Sequence, residues 1–299
     1  MTTLSPERRV ATAPRPRTSG ERPRRRARAA KRNWLGATGG LLWLAITVVP
    51  IYYIVITSVR PQDGFYSSNQ LVPPRHPTLS QYRLVLHSDF LRYLSNSVIV
   101  TAAAVVVTVA VSLAAAYAIV RRNSRFTQLG FAVFLLGLAV PLQATIIPLF
   151  YLISKLGFYD SLLALILPSI GFAIPITVLI LTNFVRDIPH ELFEAMKVDG
   201  ASHFRVLRSL VVPLSRPALI TVFIYNSLTV WNAFLFPLVL TQSPDKRTLP
   251  LSLWTFQGQF NVNIPATLAA VVLSTLPIFA LYLIGRRQLV AGITAGLGK

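Results

Sequence analysis

The run Ser161–Val185, SLLALILPSIGFAIPITVLILTNFV, holds no Asp, Glu, Lys, Arg or His and ends sharply at Arg186 and Asp187. A helix needs roughly 20 apolar residues to cross the hydrocarbon core of a bilayer. Soluble core helices are rarely both this long and this free of charge, so the run reads as a membrane span. Outward from it, five more runs of the same kind occur: Trp34–Val59, Ser97–Val120, Phe126–Ser154, Pro217–Pro244 and, within a longer uncharged stretch, Ile264–Gly285. The expected fold class is all-α: a polytopic membrane protein with six transmembrane helices.

Composition agrees. Of 299 residues only 13% are charged and 53% are hydrophobic, against about 25% charged in soluble domains, and the mean hydropathy is +0.57. There is no cysteine, which excludes disulfides and thiolate metal sites. The net charge of +19 raises the question of nucleic acid. The basic residues, however, gather in one tail and at the ends of apolar runs, so nucleic acid is not an expected partner.

Six spans place both termini on one side. That side collects 22 Lys and Arg and the other 7, and the positive-inside rule then puts both termini in the cytoplasm. Residues 1–33, rich in Arg and Pro with few large apolar side chains, read as a disordered basic cytoplasmic tail, and 34–299 as the membrane domain. The tail serves either as a topology signal that touches anionic lipid or as a segment that binds a partner. Its Arg content also fits a transit peptide. It does not read as a signal peptide, since the following apolar run is too long.

The spans lack the groups that self-powered transport uses. No Asp, Glu, Lys, Arg or His lies within them, whereas proton- and ion-coupled carriers commonly place carboxylates or histidines at membrane depth. No phosphate-binding GxxxxGK[ST] loop and no GxSxG elbow occurs. His190-Glu191 opens like a zinc-protease HExxH, but Glu194 stands at the fifth position, so no metal site and no catalytic group is expected. Pro50, Pro141, Pro148, Pro168, Pro175, Pro237 and Pro277 lie at or near membrane depth. Each interrupts the helical ladder, either to let the bundle flex around a pathway or as the ordinary proline of membrane helices.

The longest internal cytoplasmic segment is Arg186–Arg216, RDIPHELFEAMKVDGASHFRVLRSLVVPLSR. Pro189 suits the first helical position. Asp187, Glu191 and Glu194 suit the positive end of the helix dipole. Leu192, Ala195 and Met196 form an apolar stripe with Phe193 on its flank, Gly200 permits a sharp turn, and Ser202 can cap a second helix. That helix would carry a Phe204, Leu207, Val211 stripe and end at Pro213 and Pro217. The stripe of this helix–turn–helix elbow either packs on its own bundle or docks into a groove of a soluble partner.

The run Glu194-Ala195-Met196-Lys197-Val198-Asp199-Gly200-Ala201, preceded by Ile188-Pro189-His190-Glu191-Leu192 and followed by Pro213 and Pro217, resembles the EAA loop of ABC importer permeases. Met196, Leu207 and Val212 replace the family's Ala, Phe and Leu. Asn96-Ser97, the run from Pro148 to Pro168, Trp231-Asn232 with Phe234 and Pro237, Arg247-Thr248-Leu249-Pro250-Leu251 and Gly292-Ile293-Thr294-Ala295-Gly296 resemble the sugar-uptake, maltose-type branch. Ala233 stands where that branch often has an acid. The resemblance implies that the loop is a coupling helix for a cytoplasmic ATPase, with Glu191, Glu194, Ala195, Met196, Asp199, Gly200 and Ala201 in that role. It implies a second permease subunit, two ATPase subunits that bind the ATP, an extracytoplasmic sugar-binding protein, and no cofactor on this chain. It places the chain in a bacterial inner membrane. The other readings are a permease for a polyamine, phosphate or peptide, and a membrane scaffold or enzyme.

Aromatic rings and neutral amides suit a sugar path, since rings offer flat apolar faces and amides both donate and accept. Tyr225, Asn226, Trp231 and Asn232 are the candidates on span five, with Tyr225, Thr229 and Asn232 on one helical face. The ordinary role for an intramembrane Asn is a bond between helices.

Overall fold

A computed structural model describes residues 34–122, 124–256 and 262–297, with backbone alone for 35, 255 and 287–297. The basic tail read as disordered lies outside the described residues, and so do the side chains of Gly292–Gly296. The chain divides into two units, Met1–Thr47 and Val48–Lys299. The described part of the first is the opening half of helix α1 (Trp34–Ser58), apolar throughout and with Thr47 bonded back to Trp43. The second holds everything that follows.

After α1 come α2 (Ser80–His87), α3 (Phe90–Arg122), α4 (Arg125–Gly137), α5 (Ile146–Lys155), α6 (Leu163–Arg186), α7 (His190–Val198), α8 (His203–Val206), α9 (Val212–Leu214), α10 (Arg216–Trp231), α11 (Leu235–Leu240), α12 (Leu249–Ser252) and α13 (Ile264–Leu297). Among the described residues there is no strand element. Four helices are long and apolar enough to cross a bilayer alone: Gly36–Ser58, Phe90–Arg122, Leu163–Arg186 and Ile264–Arg286. Two bent helix pairs, Arg125–Gly137 with Leu142–Lys155 and His203–Leu214 with Arg216–Trp231, bring the count to as many as six if each pair is one span. The fold is an all-α, multi-pass membrane bundle, as the apolar runs predict.

Two of those runs are broken where a continuous helix is expected. The third bends by 94° between α4 and α5. Pro141 lies in the break; it cannot donate to the ladder, and it pushes Val140 away from helical geometry. The fifth, Pro217–Pro244, is helical over Arg216–Trp231 and again over Leu235–Leu240. At 1.5 Å per residue α10 rises only about 24 Å, short of a roughly 30 Å core. By contrast Pro168, Pro175 and Pro277 sit inside unbroken helices.

Inside the bundle α6 packs along α3, and α10 packs on both α3 and α13. α13 passes α10 so closely at Gly285 that a Cβ there would come 2.0 Å from Cδ1 of Ile224. Span hydroxyls mostly bond their own helix, as Ser169 does to Leu165 and Ser274 to Ala270, which satisfies them without water.

The elbow joins α6 to α10. Pro189 caps α7 rather than starting it. Asp199 ends α7, and Gly200 takes the left-handed conformation with φ +68°. The Gly200 amide donates to the Lys197 carbonyl at 3.0 Å and that of Ala201 to Met196 at 2.9 Å, the double closure of a Schellman motif. Ser202 then caps α8, accepting from the Arg205 amide at 3.3 Å. A π-helical turn, Leu207–Val211, leads into α9, and the elbow meets α10 at a 79° bend.

The apolar stripes are not where helical spacing alone puts them. Phe193, read as flanking, is the buried anchor of α7 at 2% exposure. It joins a cluster with Leu113, Ala116 and Tyr117 of α3, Leu181 and Val185 of α6, and Val206 and Val211 of the elbow. Leu192 and Ala195 face out. Of the second stripe, Val211 is buried while Phe204 is 71% exposed, and Val206 is buried in its stead. A helix surrounded on one side only buries the residues facing its neighbour, and the sequence does not say where that neighbour lies.

At the end of the bundle away from the elbow, polar side chains fix the loops. The Asn96 amide donates to the carbonyls of Asp245 and Arg247, both at 2.8 Å, and the Ser97 hydroxyl accepts from the Leu249 amide at 2.8 Å. Two stretches about 150 residues apart thus touch. Buried Arg60 donates to Ser68 at 2.9 Å and to the Val72 carbonyl at 2.5 Å, holding the loop after α1.

Candidate functional site

The outer face of the elbow is the first component. Glu191, Leu192, Ala195, Lys197, Val198, Asp199 and Gly200 are exposed, with Val198 at 86%. The exposed face therefore mixes charged and apolar side chains around a fixed turn. Met196 and Ala201 turn inward and are partly buried against the core cluster. Glu194 also turns inward. Its carboxylate lies 3.6 Å from the Arg121 guanidinium at the end of α3 and 3.7 Å from His190.

The second component is a cavity of about 210 Å³ between α6, α10 and α11, lined by Leu142, Ser169, Phe172, Tyr225, Thr229, Phe234 and neighbouring residues. It lies in the half of the bundle away from the elbow, because its residues come from the start of α6 and the end of α10. No charged side chain is among its lining residues. The walls are mainly aromatic and aliphatic. Phe172 packs on Phe236 with centroids 5.7 Å apart, and Phe234 meets Trp254 edge-on at 5.4 Å. Rings of this kind offer flat apolar faces, and Tyr225 adds a polar edge.

Of the four residues singled out on span five, the structure brings two to the cavity. Tyr225 lines it half-exposed, and its hydroxyl makes no hydrogen bond among the described residues. Asn226 lines it too, but it is 1% exposed and its amide donates to the Thr177 hydroxyl of α6 at 2.9 Å. Trp231 points elsewhere. It is buried against α2, α3 and α13, with its indole nitrogen donating to the Ser274 carbonyl at 3.2 Å. Asn232 closes α10, its amide bonded to the Leu228 carbonyl at 2.8 Å, and does not line the cavity. Its backbone amide still donates to the Leu228 carbonyl at 3.2 Å, so it ends the helix in register, and its side-chain amide folds back onto the same carbonyl. Phe172 and Phe236 escaped the sequence reading, and Phe234 entered it only through the family resemblance; an aromatic within an apolar run carries no mark that it lines a cavity.

Near the far-end loops, Asp160 accepts from the amides of Gln242 at 2.9 Å and Ser243 at 3.0 Å, and from the Ser243 hydroxyl in a very short bond. The Ser243 hydroxyl bond and these amide bonds hold its carboxyl below the usual carboxylate range. The loop between α5 and α6 is thereby tied to the segment after α11.

Broken helices around a cavity with no charged lining residue suit the passage of a solute. The chain belongs to the family described as binding-protein-dependent transport system inner membrane component, which matches residues 107–294. A putative ABC transporter permease protein of Caldicellulosiruptor sp. is 41% identical, covering 86% of this chain and 94% of that protein. The diacetylchitobiose uptake system permease protein DasC of Streptomyces coelicolor is 32% identical over 90% of this chain and 97% of its own. Among solved structures, a bacterial ABC transporter involved in the import of the acidic polysaccharide alginate superposes with a TM-score of 0.74 at 20% identity, covering 85% of this chain and 94% of that chain. The chain is accordingly a multi-pass permease subunit of an ABC importer and not an enzyme.

Proposed function

We propose that the chain forms part of the translocation path for a sugar or oligosaccharide and takes its energy from a separate ATPase that meets the elbow. The observation that carries this reading is the elbow itself: a short helix closed by Gly200 whose outer face, Leu192, Ala195, Lys197 and Val198, is exposed among the described residues. With no Asp, Glu, Lys, Arg or His in the apolar runs, energy supplied through such a contact fits the chain. The uncharged, ring-lined cavity supports a sugar as the solute, in keeping with the uptake named for the Streptomyces relative.

On this reading both termini and the elbow face the cytoplasm, consistent with the bias in Lys and Arg. The chain pairs with a second, similar permease, two ATPase subunits and an extracytoplasmic sugar-binding protein. Closure of the ATPases on ATP moves the elbow, and the cavity between α6 and α10 opens toward the binding protein. The ATP is held by the partners, and this chain carries no cofactor. Glu191, Glu194, Ala195, Asp199 and Gly200 form the contact, with Met196 and Ala201 backing them; Glu194 stays half-exposed beside Arg121. Tyr225 offers its ring face and free hydroxyl to the solute.

The test is purification and reconstitution with the ATPase subunits. The wild-type chain is expected to retain them and to show solute-stimulated ATP hydrolysis. Gly200→Pro cannot adopt φ +68°, since proline is confined near −65°, and it is expected to lose both. Undiminished stimulation in that variant would refute the reading.

A further inference from the structure

The elbow is fastened to α3 by two side chains one turn apart. Arg121 lays its guanidinium over the Phe193 ring at 4.8 Å, lies 3.6 Å from the Glu194 carboxylate, and approaches Nε2 of His190 at 3.3 Å. Tyr117 bonds Nδ1 of His203 through its hydroxyl at 3.0 Å, with the two rings edge-to-face at 6.1 Å. Arg121 thus grips the first helix of the elbow and Tyr117 the second. Below them Phe193 is buried beside Tyr117, Leu113 and Ala116. A guanidinium is suited to this place because its face stacks on a ring while its edge meets a carboxylate; a lysine ammonium offers only one of these.

The covalent ends of the elbow are poorly suited to carry a push. On the α10 side lie a π-helical turn and a 79° bend at Ser215, and on the α6 side a turn through Asp187 and Pro189. α3, in contrast, is unbroken over 33 residues. Its other end holds Asn96 and Ser97, which secure the loop at Asp245–Leu249. The distance along the helix from Arg121 to Asn96 is about 37 Å at 1.5 Å per residue.

We infer that Arg121, backed by Tyr117, is a positioning residue that makes α3 the lever of this permease: elbow movement enters α3 through this clamp and reaches the far-end loop as one rigid displacement. The inference rests on the reading that the elbow meets an ATPase. It adds a residue outside the elbow, and a direction for the movement.

The experiment uses the complete reconstituted transporter and records solute taken up per ATP hydrolysed. Arg121→Gln is expected to retain its ATPase subunits and hydrolyse ATP, but to lower uptake per ATP by roughly fivefold or more, as loss of a stacked, charge-assisted contact implies. The chain has no cysteine of its own, so Arg121→Cys with His190→Cys supplies the one thiol pair in this subunit. This pair is expected to couple poorly until joined by a short bismaleimide, and to return close to wild-type uptake per ATP once joined. Normal coupling in Arg121→Gln, or a verified cross-link that restores nothing, would overturn the lever while leaving the elbow reading intact. Normal coupling in Gly200→Pro would remove the elbow reading and the lever with it.

Discussion

The Asn226 amide donates to the Thr177 hydroxyl at 2.9 Å, and Thr177 in turn donates to the Ala173 carbonyl at 2.7 Å, a relay that joins α10 to α6 on the wall of the cavity. Bonds between membrane helices are individually modest, averaging about 0.6 kcal/mol and reaching about 1.7. A double-mutant cycle of Asn226→Ala and Thr177→Val, read by thermal unfolding in detergent, is expected to give a coupling in that range. Zero coupling would show that the two helices do not depend on the pair.

Tyr225 and Trp231, six residues apart on α10, are expected to behave in opposite ways. Tyr225 is half-exposed to the cavity, so Tyr225→Ala should leave the unfolding temperature nearly unchanged while lowering solute uptake several-fold. Trp231 is buried and bonded to Ser274, so Trp231→Ala should cost about 3–5 kcal/mol of stability and reduce the amount of folded protein. Parallel measurements of unfolding and uptake check both.

The two faces of α7 separate in the same manner. Phe193→Ala empties a buried site and is expected to cost about 3 kcal/mol, seen as faster proteolysis within 190–214. Val198→Ala and Leu192→Ala change exposed side chains and should leave that protection alone. On the proposed function they weaken retention of the ATPase subunits, which co-purification would show.

Asp160 gives a pH dependence. Its folded carboxyl titrates below the ordinary value because of the Ser243 hydroxyl and the amides of Gln242 and Ser243. A depressed carboxyl value stabilises the folded state fully above the unfolded value of about 3.9, and that contribution is lost as the pH falls through the lowered one. The loop after α11 should therefore hold at neutral pH and loosen in strong acid. Asp160→Asn should remove this dependence, measurable as the pH profile of unfolding or of cleavage at 241–248.

Much of this was legible in the residues. The length and charge-freedom of Ser161–Val185 were enough for a membrane helix, because a bilayer imposes one dominant requirement on any segment that crosses it. The Asp199-Gly200 turn was equally clear, since only glycine adopts a left-handed closure without strain. The EAA-like run marked the elbow in advance. The breaks were less so: Pro141 disrupts its run and Pro175 does not, and the difference lies in what surrounds each proline.

The sequence by itself determined the membrane class, the runs that cross, the family, and the position of the elbow, all of which depend on local composition and spacing. Tertiary structure alone decided that Phe193 is inside and Phe204 outside, that Trp231 braces α13 while Tyr225 faces the cavity, and that Arg121 holds the elbow across a 73-residue gap in the chain from Glu194. Those outcomes depend on which helix lies beside which. In a chain whose spans are uniformly apolar, that choice is made by the packing of many similar surfaces, and single positions do not announce it.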